Sequence, residues 1–149
     1  MATPSEKVFI DTNVLVYSHL TLSPFHGAAV SRLRDLLAAG AELWISRQTL
    51  REYLSAMTKP GALTGSIPIQ SLIADVRSFA AAFHMAEDHS VVTDNLLLLL
   101  DAVPVGGKQI HDANIVASMQ AYGVPKLLTH NTADFTRFAP YITILPLVP

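Results

Sequence analysis

The run Val8-Phe9-Ile10, cut off by Asp11-Thr12-Asn13, constrains this chain more than any other feature. So short an apolar run, ended by polar residues, reads as a buried strand handing over to a loop or helix start. The pattern then repeats. Ser23-Pro24 supplies an N-cap with Pro at the first helical position. Ala29, Val30, Leu33, Leu36 and Leu37 follow at helical spacing, and Gly40 is placed to stop that helix. Glu42 to Ile45 reads as a second strand, and Ser46 caps a helix carrying Leu50, Tyr53, Leu54 and Met57, stopped by Lys59-Pro60-Gly61.

Residues 61–68 are rich in Gly, Pro, Ser and Thr and read as a surface connection. Pro68 to Phe83 resumes helical spacing through Leu72, Ile73, Val76 and Phe79, and His84 to Ala86 reads as a brief strand. Ser90 to Val103 is a helix around a leucine run. Val105-Gly106-Gly107-Lys108 is a turn before a helix from Ile110 to Tyr122 that Gly123 ends. Lys126 to Thr129 and Ile142 to Leu145 complete the strands. Strands alternating with helices predict an α/β architecture, a mainly parallel sheet covered on both faces. The length, 149 residues, is that of a single domain spanning 1–149. In such sheets function gathers at the carboxyl ends of the strands.

Composition narrows the chemistry. The chain has no cysteine, which excludes thiol nucleophiles, iron–sulfur clusters and Cys-ligated zinc, and leaves carboxylate, imidazole and carbonyl ligands suited to Mg²⁺ or Mn²⁺. A net charge of −2 argues against a broad duplex-coating surface. The amino-terminal residues resemble no secretory signal, and the most apolar run, Leu96 to Leu100, is far too short to span a bilayer, so a cytoplasmic protein without membrane association is expected.

Four acids stand at strand ends or on the helices that follow: Asp11, Glu52, Asp112 and Asp134. If they converge they repel one another, and divalent cations would relieve that repulsion and serve phosphodiester cleavage. The helix start at Asp112 would also offer backbone N–H groups to a phosphate. Each acid alone has a plainer reading: Asp112 as a helix cap, Glu52 as a surface residue, Asp134 as a turn residue. Asp35, Asp75, Glu87, Asp88, Asp94 and Asp101 read as solvated. Set the four aside and the rest of the chain carries +2.

The segment Ile10-Asp11-Thr12-Asn13-Val14-Leu15-Val16-Tyr17 resembles the opening motif of the PIN-domain family. Ser46 to Glu52, Ile110 to Ala117 and Leu128 to Phe135 resemble its later motifs, in the family's order. The length is similar to that of VapC-type toxins, the ribonuclease half of bacterial toxin–antitoxin pairs. The resemblance implies a three-layer α/β/α sandwich and Mg²⁺- or Mn²⁺-dependent endonucleolytic cleavage of RNA. It makes Asp11 and Asp112 the main metal ligands, with Glu52 completing the site and Asp134 supporting it. Asn131 stands where many relatives carry another acid. Thr12, Asn13 and Asn131 are expected to orient carboxylates or solvent.

Arg47, Arg51, Lys108 and Arg137 flank the motifs and are nominated as contacts to the RNA backbone, ordinary solubilising charge being the alternative. His111 and His130 adjoin motif residues, where a local hydrogen bond is the plainer role. The resemblance also implies an antitoxin partner and a homodimer. The apolar helical face of Leu50, Leu54 and Met57 could serve either, although core packing explains it equally well. Rival readings are a housekeeping RNA-processing nuclease with the same domain, a phosphoacceptor signalling module, and a non-catalytic binding module. The phosphoacceptor reading wants an acidic pair near the first strand, and a haloacid-dehalogenase-like phosphatase wants Asp where Asn13 stands.

Overall fold

A computed structural model describes residues 4–61 and 65–149. A five-stranded sheet forms from β1 (Lys7–Ile10), β2 (Glu42–Ser46), β3 (His84–Ala86), β4 (Lys126–Thr129) and β5 (Thr143–Pro146). The strand order is β3-β2-β1-β4-β5, and every neighbouring pair runs parallel. The helices are α1 (Thr12–His19), α2 (His26–Ala38), α3 (Arg47–Thr58), α4 (Ile69–Ala82), α5 (Ser90–Ala102), α6 (Gln109–Tyr122) and α7 (Thr132–Phe135).

Side-chain alternation along the strands divides the core in two. Val8 and Ile10 of β1, Leu43 and Ile45 of β2 and Leu128 of β4 pack with Leu15, Leu36, Leu50, Tyr53, Leu72 and Phe79 from α1 to α4. Phe9 and Leu127 point the other way, into a second cluster with Leu99 of α5, Val116 and Met119 of α6, and Phe135 and Phe138. The expected three-layer α/β/α sandwich is therefore observed. A sheet buried on both faces also explains why its strands read as near-continuous apolar runs.

The order places β1 at the centre. From it the chain builds β2 and β3 to one side, then returns to lay β4 and β5 on the other. The carboxyl ends of β1 and β4 therefore bracket the crevice where connections diverge, and ligands of open α/β sheets bind in such crevices.

Most element boundaries agree with the sequence reading, with two corrections. The second helix starts at His26 rather than Pro24, because Ser23 closes a turn first: its carbonyl accepts from His26 N–H at 3.1 Å and its hydroxyl from Phe25 N–H at 3.1 Å. The one-turn helix α7 and the 3₁₀ turn Thr136–Phe138 occupy a stretch read only as a turn. Leu50 and Met57 are buried and Leu54 packs against them, so core packing accounts for that face. Asp75 is not merely solvated, since it accepts a hydrogen bond from Tyr53. Residues 62–64 of the expected surface connection lie outside the described residues. Gly123 does end α6, in the left-handed conformation at φ 65°, where a side chain would be strained. No helix among the described residues is long and apolar enough to cross a membrane.

Tyr53 is fully buried between α3 and α4, and its hydroxyl donates to Asp75 Oδ2 at 2.7 Å. Burial, then the Asp75 carboxylate, pushes the Tyr53 hydroxyl above its ordinary pKa. Tyr53→Phe leaves that carboxylate short of a donor and is expected to cost about 1–3 kcal/mol. In a chain this size that lowers the thermal midpoint by about 3–8 °C, measurable by circular dichroism.

Candidate functional site

Asp11 ends the central strand and caps α1. It is 7% exposed, its backbone N–H pairs with Leu128 C=O at 3.0 Å, and its Oδ1 accepts from Thr12 N–H at 2.8 Å. Its Oδ2 accepts from Thr129 Oγ1 at 2.7 Å and from Asn13 Nδ2 at 3.1 Å. The Asn13 amide is fixed in turn, its Oδ1 accepting from His130 N–H at 3.1 Å. Asn131 N–H donates to Thr129 Oγ1 at 3.0 Å. Through these bonds the start of α1 and the end of β4 are joined at one carboxylate.

Glu52 of α3 joins this group through Thr12, whose Oγ1 donates to Glu52 Oε2 at 2.9 Å. Gln48, one helical turn earlier, donates to Glu52 Oε1 at 2.6 Å. Asp112 lies in the first turn of α6, where the helix dipole favours an anion, and Asp134 lies on α7. Asp11, Glu52, Asp112, Asp134, Thr12, Asn13 and Asn131 all line one cleft of about 380 Å³, with Val16, Tyr17, Ala56 and Phe135 as its apolar wall.

The cost of this convergence appears in the carboxyl groups. Burial raises Asp11 to about 6, against the lowering effect of its Thr129 and Thr12 hydrogen bonds, and the Glu52 charge pushes the same way as burial. Asp112 is likewise pushed up to about 6, by burial first and then by the charges of Asp134, Asp11 and Glu52, while Arg137 opposes them. Hard oxygen donors whose charges are frustrated in this way fit a divalent cation, which would favour the ionised form of both groups. Among the described residues no three carboxylate or imidazole side chains form a ready-made metal cage. Asp11 and Asp112, the two raised carboxyls of the cleft, could hold such an ion with solvent supplying further oxygens.

The remaining nominated residues are placed variously. Arg137 is exposed yet near enough to act on Asp112. Arg47 is ion-paired with Glu87, at 2.7 Å, so Glu87 is not simply solvated. Arg51 and Lys108 are exposed. His130 turns its ring away into Tyr17 and Phe25, with centroids 5.4 and 4.2 Å distant, and His111 supplies a backbone carbonyl to Gln48. Neither ring lines the cleft.

Sequence reasoning missed Thr129, Gln48 and Asn114. Thr129 carried a readable signal, as the one polar residue closing an apolar strand beside Asp11. Gln48 carried another, four residues before Glu52 and therefore on its helical face.

Because both raised carboxyls bind protons more tightly in the fold than in the unfolded chain, their contribution to stability is present below pH about 4. It is lost as pH rises through about 6. Asp112→Asn is therefore expected to stabilise the metal-free protein at pH 7 by about 1 kcal/mol, allowing for partial exposure, or about 2–4 °C. The gain should vanish at pH 4, and thermal melts at the two pH values check it.

The PIN domain family matches residues 8–139. The chain is 24% identical over 130 residues to Ribonuclease VapC48 of Mycobacterium tuberculosis, covering 86% of this chain and 89% of that one. Among solved structures, a toxin–antitoxin complex from Klebsiella pneumoniae superposes with a TM-score of 0.65 at 18% identity, covering 94% of this chain and 97% of that one. Mycobacterium tuberculosis VapC20, a Sarcin-Ricin loop cleaving toxin, gives a TM-score of 0.64 at 13% identity, covering 93% and 99%. Sheet order, acidic cleft and a match across most of the sequence agree: the chain belongs to the PIN domain family.

Proposed function

We propose that this chain is a metal-dependent endoribonuclease acting as the toxin of a type II toxin–antitoxin pair. The observation that carries the reading is the convergence of Asp11, Glu52, Asp112 and Asp134 on one cleft at the carboxyl ends of β1 and β4. The relative VapC48 is named a ribonuclease, and VapC20 a toxin that cleaves the Sarcin-Ricin loop. PIN-domain nucleases depend on metal as a class, and for this chain Mg²⁺ or Mn²⁺ is the proposed ion.

Asp11 and Asp112 would hold the cation, with the Asp134 charge, which acts on Asp112, adding to the negative field of the cleft. A bound divalent ion supplies Lewis-acid activation of water and neutralises phosphate charge. Glu52, held by Thr12 and Gln48, would orient the attacking water, which gives up a proton to solvent as its oxygen bonds to phosphorus, while the ribose oxygen leaves and takes up a proton from solvent. Thr12, Asn13 and Thr129 keep Asp11 in place. The first-turn N–H groups of α6 are already donated to the carbonyls of Gly106, Gly107 and Lys108, so the start of α6 offers a phosphate the positive end of its dipole rather than free donors. Arg51, Lys108 and Arg137 contact the RNA backbone, and Arg47 does so by exchanging Glu87 for phosphate. A cognate antitoxin, a homodimer and operation in the cytoplasm complete the proposal. The Klebsiella relative, itself a toxin–antitoxin complex, supports the antitoxin partner.

Expression of this chain alone in bacteria is expected to arrest growth and create new, site-specific RNA ends, with Asp11→Ala as control. Robust growth with cleavage confined to maturing transcripts would favour the housekeeping nuclease. In purified protein, Asp11→Ala or Asp112→Ala should lower divalent-dependent cleavage by about 10²–10³-fold or more while the far-ultraviolet circular dichroism is kept. Retained cleavage in either variant overturns the assignment.

A further inference from the structure

Gln48 is 9% exposed and lies between α3 and α6. Its Nε2 donates to Glu52 Oε1 at 2.6 Å and to the His111 carbonyl at 3.1 Å, while its Oε1 accepts from Asn114 Nδ2 at 3.1 Å. Both amide protons and the carbonyl are therefore used. The orientation of the amide is also determined: flipped, its oxygen would face two acceptors and its nitrogen would face a donor. No other described residue carries hydrogen bonds from its own side chain both to Glu52 and to the turn of α6 that presents Asp112.

We propose that Gln48 is the positioning residue of this site, a brace that aims the Glu52 carboxylate into the cleft and sets its distance from Asp112. Three features carry the inference. Glu52 has a flexible side chain, and among the described residues only Thr12 and Gln48 hold its two oxygens, one each. Asp112 sits one residue beyond the carbonyl that Gln48 grips, so the same amide fixes the backbone that presents the second acid. Finally, a buried amide is costly unless fully paired, and this one is paired only while Glu52 and the first turn of α6 keep their present places. Gln48 therefore acts through Glu52 and α6, without a place of its own in the cleft lining.

This inference rests on the nuclease reading, and the test separates the two. Gln48→Met keeps length and volume and removes the donors. Mn²⁺ binding to wild type, Gln48→Met, Glu52→Ala and the double variant is measured by calorimetry, alongside RNA cleavage and thermal melting. The single variant is expected to bind Mn²⁺ about tenfold more weakly and to lose about tenfold in kcat with KM unchanged. In the Glu52→Ala background, adding Gln48→Met should change Mn²⁺ affinity much less. Wild-type binding and turnover in Gln48→Met overturn the inference, and so does an undiminished loss in the Glu52→Ala background. If the wild-type chain neither binds Mn²⁺ nor cleaves RNA, the nuclease reading fails, and a crystal structure of Gln48→Met decides the brace. Glu52 turned away from Thr12 supports it, and Glu52 still bonded to Thr12 with the α6 turn unmoved overturns it.

Discussion

A buried carboxylate at the end of the central strand is the constraint around which this molecule is arranged. Asp11 could have been neutralised by a cation from the protein, but it is surrounded by neutral donors: one backbone N–H, one hydroxyl and one amide. Such donors stabilise the charged form without cancelling its charge. Here they do not overcome burial, which leaves the carboxyl at about 6. They still fix both oxygens in space, and the same bonds join α1 to β4 across the crevice between strands. Fold and site therefore share one set of hydrogen bonds.

What could be read from the sequence, and what could not, follows from the range of the interactions. Val8 and Ile10 against Phe9, or Leu128 against Leu127, alternate within a few residues, so the buried parallel sheet was legible. The four acids were legible too, because strand ends and helix starts are marked locally by polar residues. The contacts that give those acids their character span the chain. Thr129 reaches Asp11 across 118 residues, Asn114 reaches Gln48 across 66, and Tyr53 reaches Asp75 across 22. No periodicity encodes such pairs. Ser23-Pro24 failed for the opposite reason, since a helix cap and a turn use the same residues and only the turn's own hydrogen bonds separate them.

The charge distribution sharpens the functional argument. The chain carries only −2 overall, yet four of its acids line one cleft, and the cation acting on Asp112 is an exposed arginine outside that lining. A polyanion meeting this cleft without a counter-ion would be repelled at the point where it has to bind. The raised carboxyl groups record the same repulsion from within. A divalent ion would answer both effects, converting mutual repulsion among side chains into attraction for the ion and an acidic cleft into one able to accept a phosphate. Local order then decides whether that conversion is productive, because carboxylates free to turn away would relieve their repulsion by moving apart. Thr12 and Gln48 deny Glu52 that freedom, and Thr129 and Asn13 deny it to Asp11. Neutral donors hold the charges close without weakening them, and that is why amides and hydroxyls, rather than lysines, surround this site.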